Sequence, residues 1–107
     1  MVDMTDVASR TGPVGRLVAA HRSELREVLS RHGVTNPRVF GSVARGDDRP
    51  DSDVDILVDL PPGTGLFAIA RMQAELEGIL GVDVDLVPAA GLKPLVRATV
   101  ESDMVAL

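Results

Sequence analysis

The chain has 107 residues, a formal net charge of −5 at pH 7 and no cysteine. That length makes one domain with a modest core, too short to join a catalytic domain to a separate substrate-recognition domain. The acidic balance disfavours a grip on nucleic-acid phosphates, the missing thiols exclude a disulfide framework or a thiolate metal site, and no apolar run approaches a membrane span.

Residues 1–12 show no periodicity and read as a mobile tail ahead of a domain spanning 13–107. The opening stretch carries Asp3, Asp6 and Arg10 and no apolar signal core, so a cytoplasmic protein is expected. Thr11 followed by Pro13 signals a helix entry. Leu17, Val18, His21, Leu25, Val28 and Leu29 then recur at helical spacing, predicting one amphipathic helix over Val14 to His32, stopped by Gly33. His21 and His32 are read as helix residues, not as a metal pair.

Asn36-Pro37 is a turn leading into a strand from Arg38 to Phe40. The strand breaks at Gly41-Ser42, and Ser42 to Arg45 reads as the first turn of a short helix. Gly46 to Pro50 is a polar loop in which Asp47 and Asp48, with Asp51 beyond, are expected to be solvated. A second strand is predicted from Asp53 to Asp59, ended by Pro61-Pro62-Gly63. Thr64 is placed to cap a helix with the apolar stripe Leu66, Ile69, Met72, Leu76, Ile79 and Leu80, closed by Gly81.

A third strand follows from Val82 to Val87, then a helix from Leu92 to Ser102 and a short edge strand within Met104 to Leu107. Phe40 and Phe67 are the only aromatic residues, and both fall in apolar patterns that predict burial. No base-stacking platform is therefore expected, a second argument against direct nucleic-acid binding. The element order predicts an α/β fold with one small mixed β-sheet flanked by helices.

The chemistry concentrates between Val39 and Leu60. Asp53 and Asp55 are separated by one strand residue, so their side chains share a face and can converge on one cation. Mg²⁺ takes one or two protein carboxylates and completes its octahedron with water and substrate phosphates, so an Asp pair without a full cage implies a nucleotide ligand. Gly41 lets the backbone approach phosphate, and the Ser42 hydroxyl is an anion-seeking donor. Gly-Ser alone means nothing, but Gly-Ser, ten residues, Asp-x-Asp arises by chance in roughly one chain of this length in a thousand. The strand, helix, strand crossover from Asp53 to Val87 brings a third strand alongside, with Asp83 and Asp85 as candidate third carboxylates. Asp59 has the same parity but lies about 13 Å from Asp55 at the strand rise, too far to share a metal. Arg45 can fork onto a triphosphate or pin the acidic loop, and Lys93 and Arg97 share a helix face that could also reach phosphate.

The string GSVARGDDRPDSDVDILV resembles the signature of the DNA polymerase β-like nucleotidyltransferase superfamily. It looks like one branch of it, the minimal nucleotidyltransferases, whose best understood members are antitoxins paired with HEPN-domain RNase toxins. The resemblance covers most of the chain from about Arg38 onward. It implies the polymerase β-like nucleotidyltransferase fold, two Mg²⁺ ions, ATP as substrate, and AMP transfer to a hydroxyl, most simply a tyrosine, of a cognate HEPN toxin. Asp53 and Asp55 match the metal-holding pair, and Gly41 and Ser42 match the phosphate-binding turn. The family's Val-Asp-Leu-Val pattern matches Val84 to Val87 and so favours Asp85 over Asp83 as the third ligand and general base. An oligomer of like chains or with the toxin would be compatible. Two rivals stand beside this expectation: a non-catalytic antitoxin acting by occlusion, and an adenylyltransferase for a small molecule such as an aminoglycoside.

Overall fold

A computed structural model describes residues 12–107; the expected tail lies, except for Gly12, outside the described residues. The first helix, α1 (Pro13–Ala20), begins with Pro13 where a missing N–H costs nothing. Gly12 has no side chain to cap it. The cap comes instead from Asp48, whose carboxylate accepts from the backbone N–H groups of Gly12 (3.0 Å), Val14 (2.7 Å) and Gly15 (3.0 Å). Asp48 is only 7% exposed, which corrects the expectation of a solvated loop residue. Three orphan donors at a helix N-terminus, and the dipole behind them, are what take this carboxylate out of water.

The predicted single helix is two, α1 and α2 (Arg22–Arg31), separated by His21 at φ −110°, ψ 16°. Val14, Val18, Leu25 and Leu29 keep one apolar stripe through the break. The hydrophobic period thus carries no mark of a one-residue kink. The second helix ends in a Schellman arrangement, with Gly33 at φ 78° and the amides of Gly33 and Val34 donating to Ser30 O and Leu29 O.

Four strands form a single sheet in the order β3-β2-β1-β4. Strand β1 (Thr35–Phe40) starts earlier than expected, because the chain resumes pairing across an irregularity between Thr35 and Arg38, where Asn36 takes φ 51°. It runs antiparallel to β2 (Val54–Asp59). The short helix α3 (Gly41–Arg45) joins them through the acidic loop. Strand β2 leaves Asp53 just outside its first residue.

The crossover helix α4 (Leu66–Leu80) returns the chain to β3 (Val84–Pro88), parallel to β2 as predicted. This strand begins two residues later than expected and leaves Asp83 ahead of the ladder. Its amides at Val84 and Leu86 donate to Glu77 Oε2 and Gln73 Oε1 of α4, both at 3.0 Å, so side chains close the outer edge of the sheet. A 3₁₀ turn (Ala89–Gly91) and α5 (Pro94–Asp103) follow. Strand β4 (Val105–Ala106) then pairs with β1, the edge strand the sequence predicts.

Alternation along β2 divides the two faces of the sheet. Val54, Ile56 and Val58 join Val14, Leu25, Leu29, Met72 and Leu76 in one core cluster. Asp53, Asp55, Leu57 and Asp59 have the opposite parity. Two expectations at the start of α4 fail. Thr64 does not cap the helix but donates to Pro61 O at 2.8 Å, leaving Gly65 at the N-cap. Leu66 and Phe67 are 83% and 90% exposed, because the helix is still approaching the sheet there and its buried stripe begins at Met72. Phe40 is only half-buried. Among the described residues no helix is long and apolar enough to cross a membrane.

Candidate active site

The carboxylates gather at the end of the sheet where β1 leaves and β2 and β3 enter. Asp55 stands in register with Phe40 on one side and Asp85 on the other. Parity sets Asp53, Asp55 and Asp85 on the face turned away from the core cluster. Asp53 and Asp85 are exposed, whereas Asp55 is half-buried.

Gly41 begins α3 at φ +75°, a region L side chains rarely enter. A Cβ built there would lie 2.6 Å from Asp55 Oδ2. Glycine is therefore required twice, by its own backbone and by the carboxylate packed against it. The Gly-Ser break and the Asp-x-Asp strand, distinct signals in the sequence, are one contact in the fold. Half-buried Ser42 accepts through its carbonyl from Gly46 N (3.0 Å) and Asp47 N (3.1 Å), which turns the chain tightly after α3.

Burial raises the Asp55 carboxyl above the ordinary carboxylate range, and neighbouring Asp85 and Asp53 raise it further; Arg45 opposes them. Asp83 is not among the charges acting on Asp55. Its backbone carbonyl instead accepts from Val54 N at 2.9 Å and starts the β2–β3 ladder. Geometry thus brings Asp53, Asp55 and Asp85 together and gives Asp83 a backbone role.

Arg45 ends α3 with Nε 3.3 Å from Asp47 Oδ2 and Nη1 3.5 Å from Asp103 Oδ2. Its hydrogen bond to Asp47, above all, holds its guanidinium more firmly protonated than usual. Asp103, at the end of α5, has no counterpart in the sequence reading. At 58 positions from Arg45, it is joined to it by no local pattern. Lys93 precedes α5 as its N-cap residue, and Arg97 pairs with Glu101 one turn on, 3.3 Å away. The histidines bind carboxylates, not each other: His21 Nδ1 is 2.8 Å from Glu24, and His32 Nε2 is 2.8 Å from Glu75. Asp59 pairs with Arg38 at 3.1 Å, which lets Arg38 be only 7% exposed.

Among the described residues no three carboxylate or imidazole groups already form a metal-holding cluster. The donor set around Asp55 nevertheless fits a hard divalent cation. It is all oxygen, Arg45 is the cation that opposes the like charges acting on Asp55, and it lacks the closed cage that Mg²⁺ does not require when substrate phosphates supply further ligands. An apolar cavity of about 320 Å³ lies between α1, α3 and β4, lined by Val18, Val39, Val43, Val105 and Leu107 among others, with Arg45 also in its wall. None of the three carboxylates lines it.

Comparison with known proteins adds four likenesses. The family model for the nucleotidyltransferase domain matches residues 22–107. The protein adenylyltransferase MntA of Thermococcus cleftensis is 43% identical over 89 residues, covering 83% of this chain and 87% of that one. A solved structure described as a candidate minimal nucleotidyltransferase is 43% identical, with a TM-score of 0.78 over 87% of this chain and 95% of that chain. A toxin–antitoxin crystal structure with AMP-PNP shares the fold, at 22% identity and a TM-score of 0.70 over 78% of this chain and 69% of that one.

Proposed function

The chain belongs to the nucleotidyltransferase domain family, and from that premise we propose that it is a Mg²⁺-dependent protein adenylyltransferase antitoxin. In this reading it moves AMP from ATP to a tyrosine hydroxyl of a cognate HEPN RNase toxin and so silences the toxin. The observation that carries the reading is the Asp55 carboxylate, half-buried against the backbone of Gly41 and crowded by Asp53 and Asp85. Acids crowded around a half-buried carboxylate, opposed by Arg45, are an arrangement that a cation and a phosphate chain would complete. The adenylyltransferase relative supports AMP as the group transferred, and the toxin–antitoxin neighbour supports a toxin as partner.

Asp53, Asp55 and Asp85 would hold the metal, and two such ions, when bound, neutralise charge on the attacking and leaving oxygens of an in-line displacement. The remaining work falls to the chain itself. Gly41 keeps the floor of the site free of a side chain, and the Ser42 hydroxyl donates to the triphosphate. Arg45, freed from Asp47 or Asp103, forks onto phosphate oxygens. Asp85, at the exposed side of the group, takes the proton of the acceptor hydroxyl. The acceptor oxygen then bonds to the α-phosphorus as the bond to pyrophosphate breaks.

The test is to mix the protein with ATP, Mg²⁺ and the product of the adjacent gene, and to weigh that product. Its mass should rise by a whole number of AMP units. Asp53→Asn should bind the product and leave its mass unchanged. If that variant neutralises the toxin as fully as the unmodified chain at equal occupancy, occlusion is the mechanism and this reading is wrong.

A further inference from the structure

Asp103 stands where a carboxylate is locally unfavourable. It is the last residue of α5, at the negative end of the helix dipole, and the last turn of that helix holds no basic residue. Glu101 in the same turn is offset by Arg97, 3.3 Å away. The cation that Asp103 meets is Arg45, from a different element, with Nη1 3.5 Å from Oδ2. The sheet arranges this meeting. Val105 of β4 is in register with Val39 of β1, so α5 delivers its end to the place where β1 passes into α3, and α3 ends at Arg45. Asp47 holds Nε of the same guanidinium at 3.3 Å. Two carboxylates thus engage a group whose donors suit phosphate oxygens equally well, and that same cation acts on Asp55.

We infer that Asp103 is a positioning residue that competes with the triphosphate for Arg45, so that ATP must draw the guanidinium from the end of α5 before Arg45 can bear on the phosphates. This deepens the proposed function and rests on its assignment of Arg45 to the triphosphate. Asp47 shares the hold, but it lies two residues on in the same turn, where its backbone N–H donates to Ser42 O. Asp103 belongs to α5 and ties Arg45 to an element outside the stretch from Gly41 to Asp55. Both side chains of the Arg45–Asp103 pair are partly exposed, so water weakens the hold. A triphosphate, carrying more charge than one carboxylate, can break it. The pair therefore lowers nucleotide affinity by a modest factor and leaves the chemistry of transfer alone.

Asp103→Asn keeps the volume and removes a charge that the end of α5 disfavours, so the fold is spared. The probe is the α,β-methylene analogue of ATP, which cannot give up AMP, with Mg²⁺. Its binding is titrated by calorimetry to the parent, Asp103→Asn, Arg45→Gln and the double variant. Asp103→Asn should bind it about two- to fivefold more tightly, the scale of one exposed ion pair. Arg45→Gln should bind it more weakly, and adding Asp103→Asn to Arg45→Gln should bring no gain, because the competition needs the guanidinium. Asp51→Asn, exposed in the loop between α3 and β2, controls for the loss of one negative charge and should match the parent. In AMP transfer from ATP to the adjacent gene's product, the gain in Asp103→Asn should fall on KM for ATP and not on kcat. Unchanged or weaker binding in Asp103→Asn overturns the inference, as does an equal gain in Asp51→Asn or in the Arg45→Gln background. If the analogue binds as expected yet no AMP is transferred, the role of Asp103 stands and the proposed function falls. If AMP is transferred and Asp103→Asn changes nothing, the proposed function stands and this inference falls. If neither the parent nor Asp103→Asn binds the analogue, both fall.

Discussion

Asp48 and Asp55 are carboxylates seven positions apart in sequence that meet opposite environments. Asp48 is nearly inaccessible, and three backbone N–H groups at 2.7 to 3.0 Å surround it. Asp55 is half-buried with a glycine backbone at its flank and two more acids beside it. The first environment stabilises a charge through donors already in place. The second leaves it wanting one, and the difference separates a carboxylate the fold needs from one the chemistry needs.

The largest effect should come from Asp55→Asn, which removes a charge without changing volume. AMP transfer should fall by on the order of 10²–10³-fold or more, the scale of losing one electrostatic contact to a transition state. Stability should behave in the reverse sense. The folded-state pKa of Asp55 is raised above its ordinary value of 3.8, so its ionisation opposes folding at neutral pH. That penalty disappears as pH falls through the raised pKa toward 3.8. The Asn variant should therefore be as stable as the parent or slightly more so at pH 7, with the gap closing in acid; chemical denaturation at several pH values checks this. A marked loss of stability at pH 7 would make Asp55 structural and erase the contrast with Asp48.

Asp48→Ala should do the opposite, unfolding the protein more easily by about 3 kcal/mol, because it strips a helix cap and leaves buried donors unpaired. A urea titration reads this directly. Among molecules still folded, transfer should be close to normal.

A smaller effect tests the junction between the two regions. Gly41→Ala should cost about 1–2 kcal/mol for a side chain at positive φ, and its methyl would press on the Asp55 carboxylate. Transfer should drop while unfolding shifts only modestly, as thermal melts and the AMP-transfer assay would show. An alanine variant with full activity would mean that Asp55 has freedom to move away and that the glycine serves the turn alone.

Much of the site was legible in the chain because its signals are local. Gly-Ser ends a strand, alternation sets two acids on one face, and the crossover of a parallel strand brings a third acid alongside; the family pattern chose Asp85 over Asp83, and the fold supplied its register with Asp55. Elements with strong periodicity and a glycine stop, such as α4 ending at Gly81, were legible for the same reason. The kink at His21 was not, since the apolar stripe keeps its phase through it. The exposure of Phe67 was not, since a stripe says which face a helix would bury and not how much of its length meets the sheet.

The sequence by itself determined the order of the strands and of the helices after the first, which is split in two, the sheet's parallel pair, and the residue types and spacing of the candidate metal ligands. Each of these follows from backbone geometry or alternation within a few residues. Tertiary structure alone decided that Asp48 caps a helix more than thirty residues upstream, that Asp103 pairs with Arg45 58 positions away, that Asp83 lends its carbonyl to the ladder, and that α5 has no fully buried residue. Those outcomes depend on which distant donors, charges and apolar surfaces the folded chain brings together, and a linear pattern holds no record of that meeting.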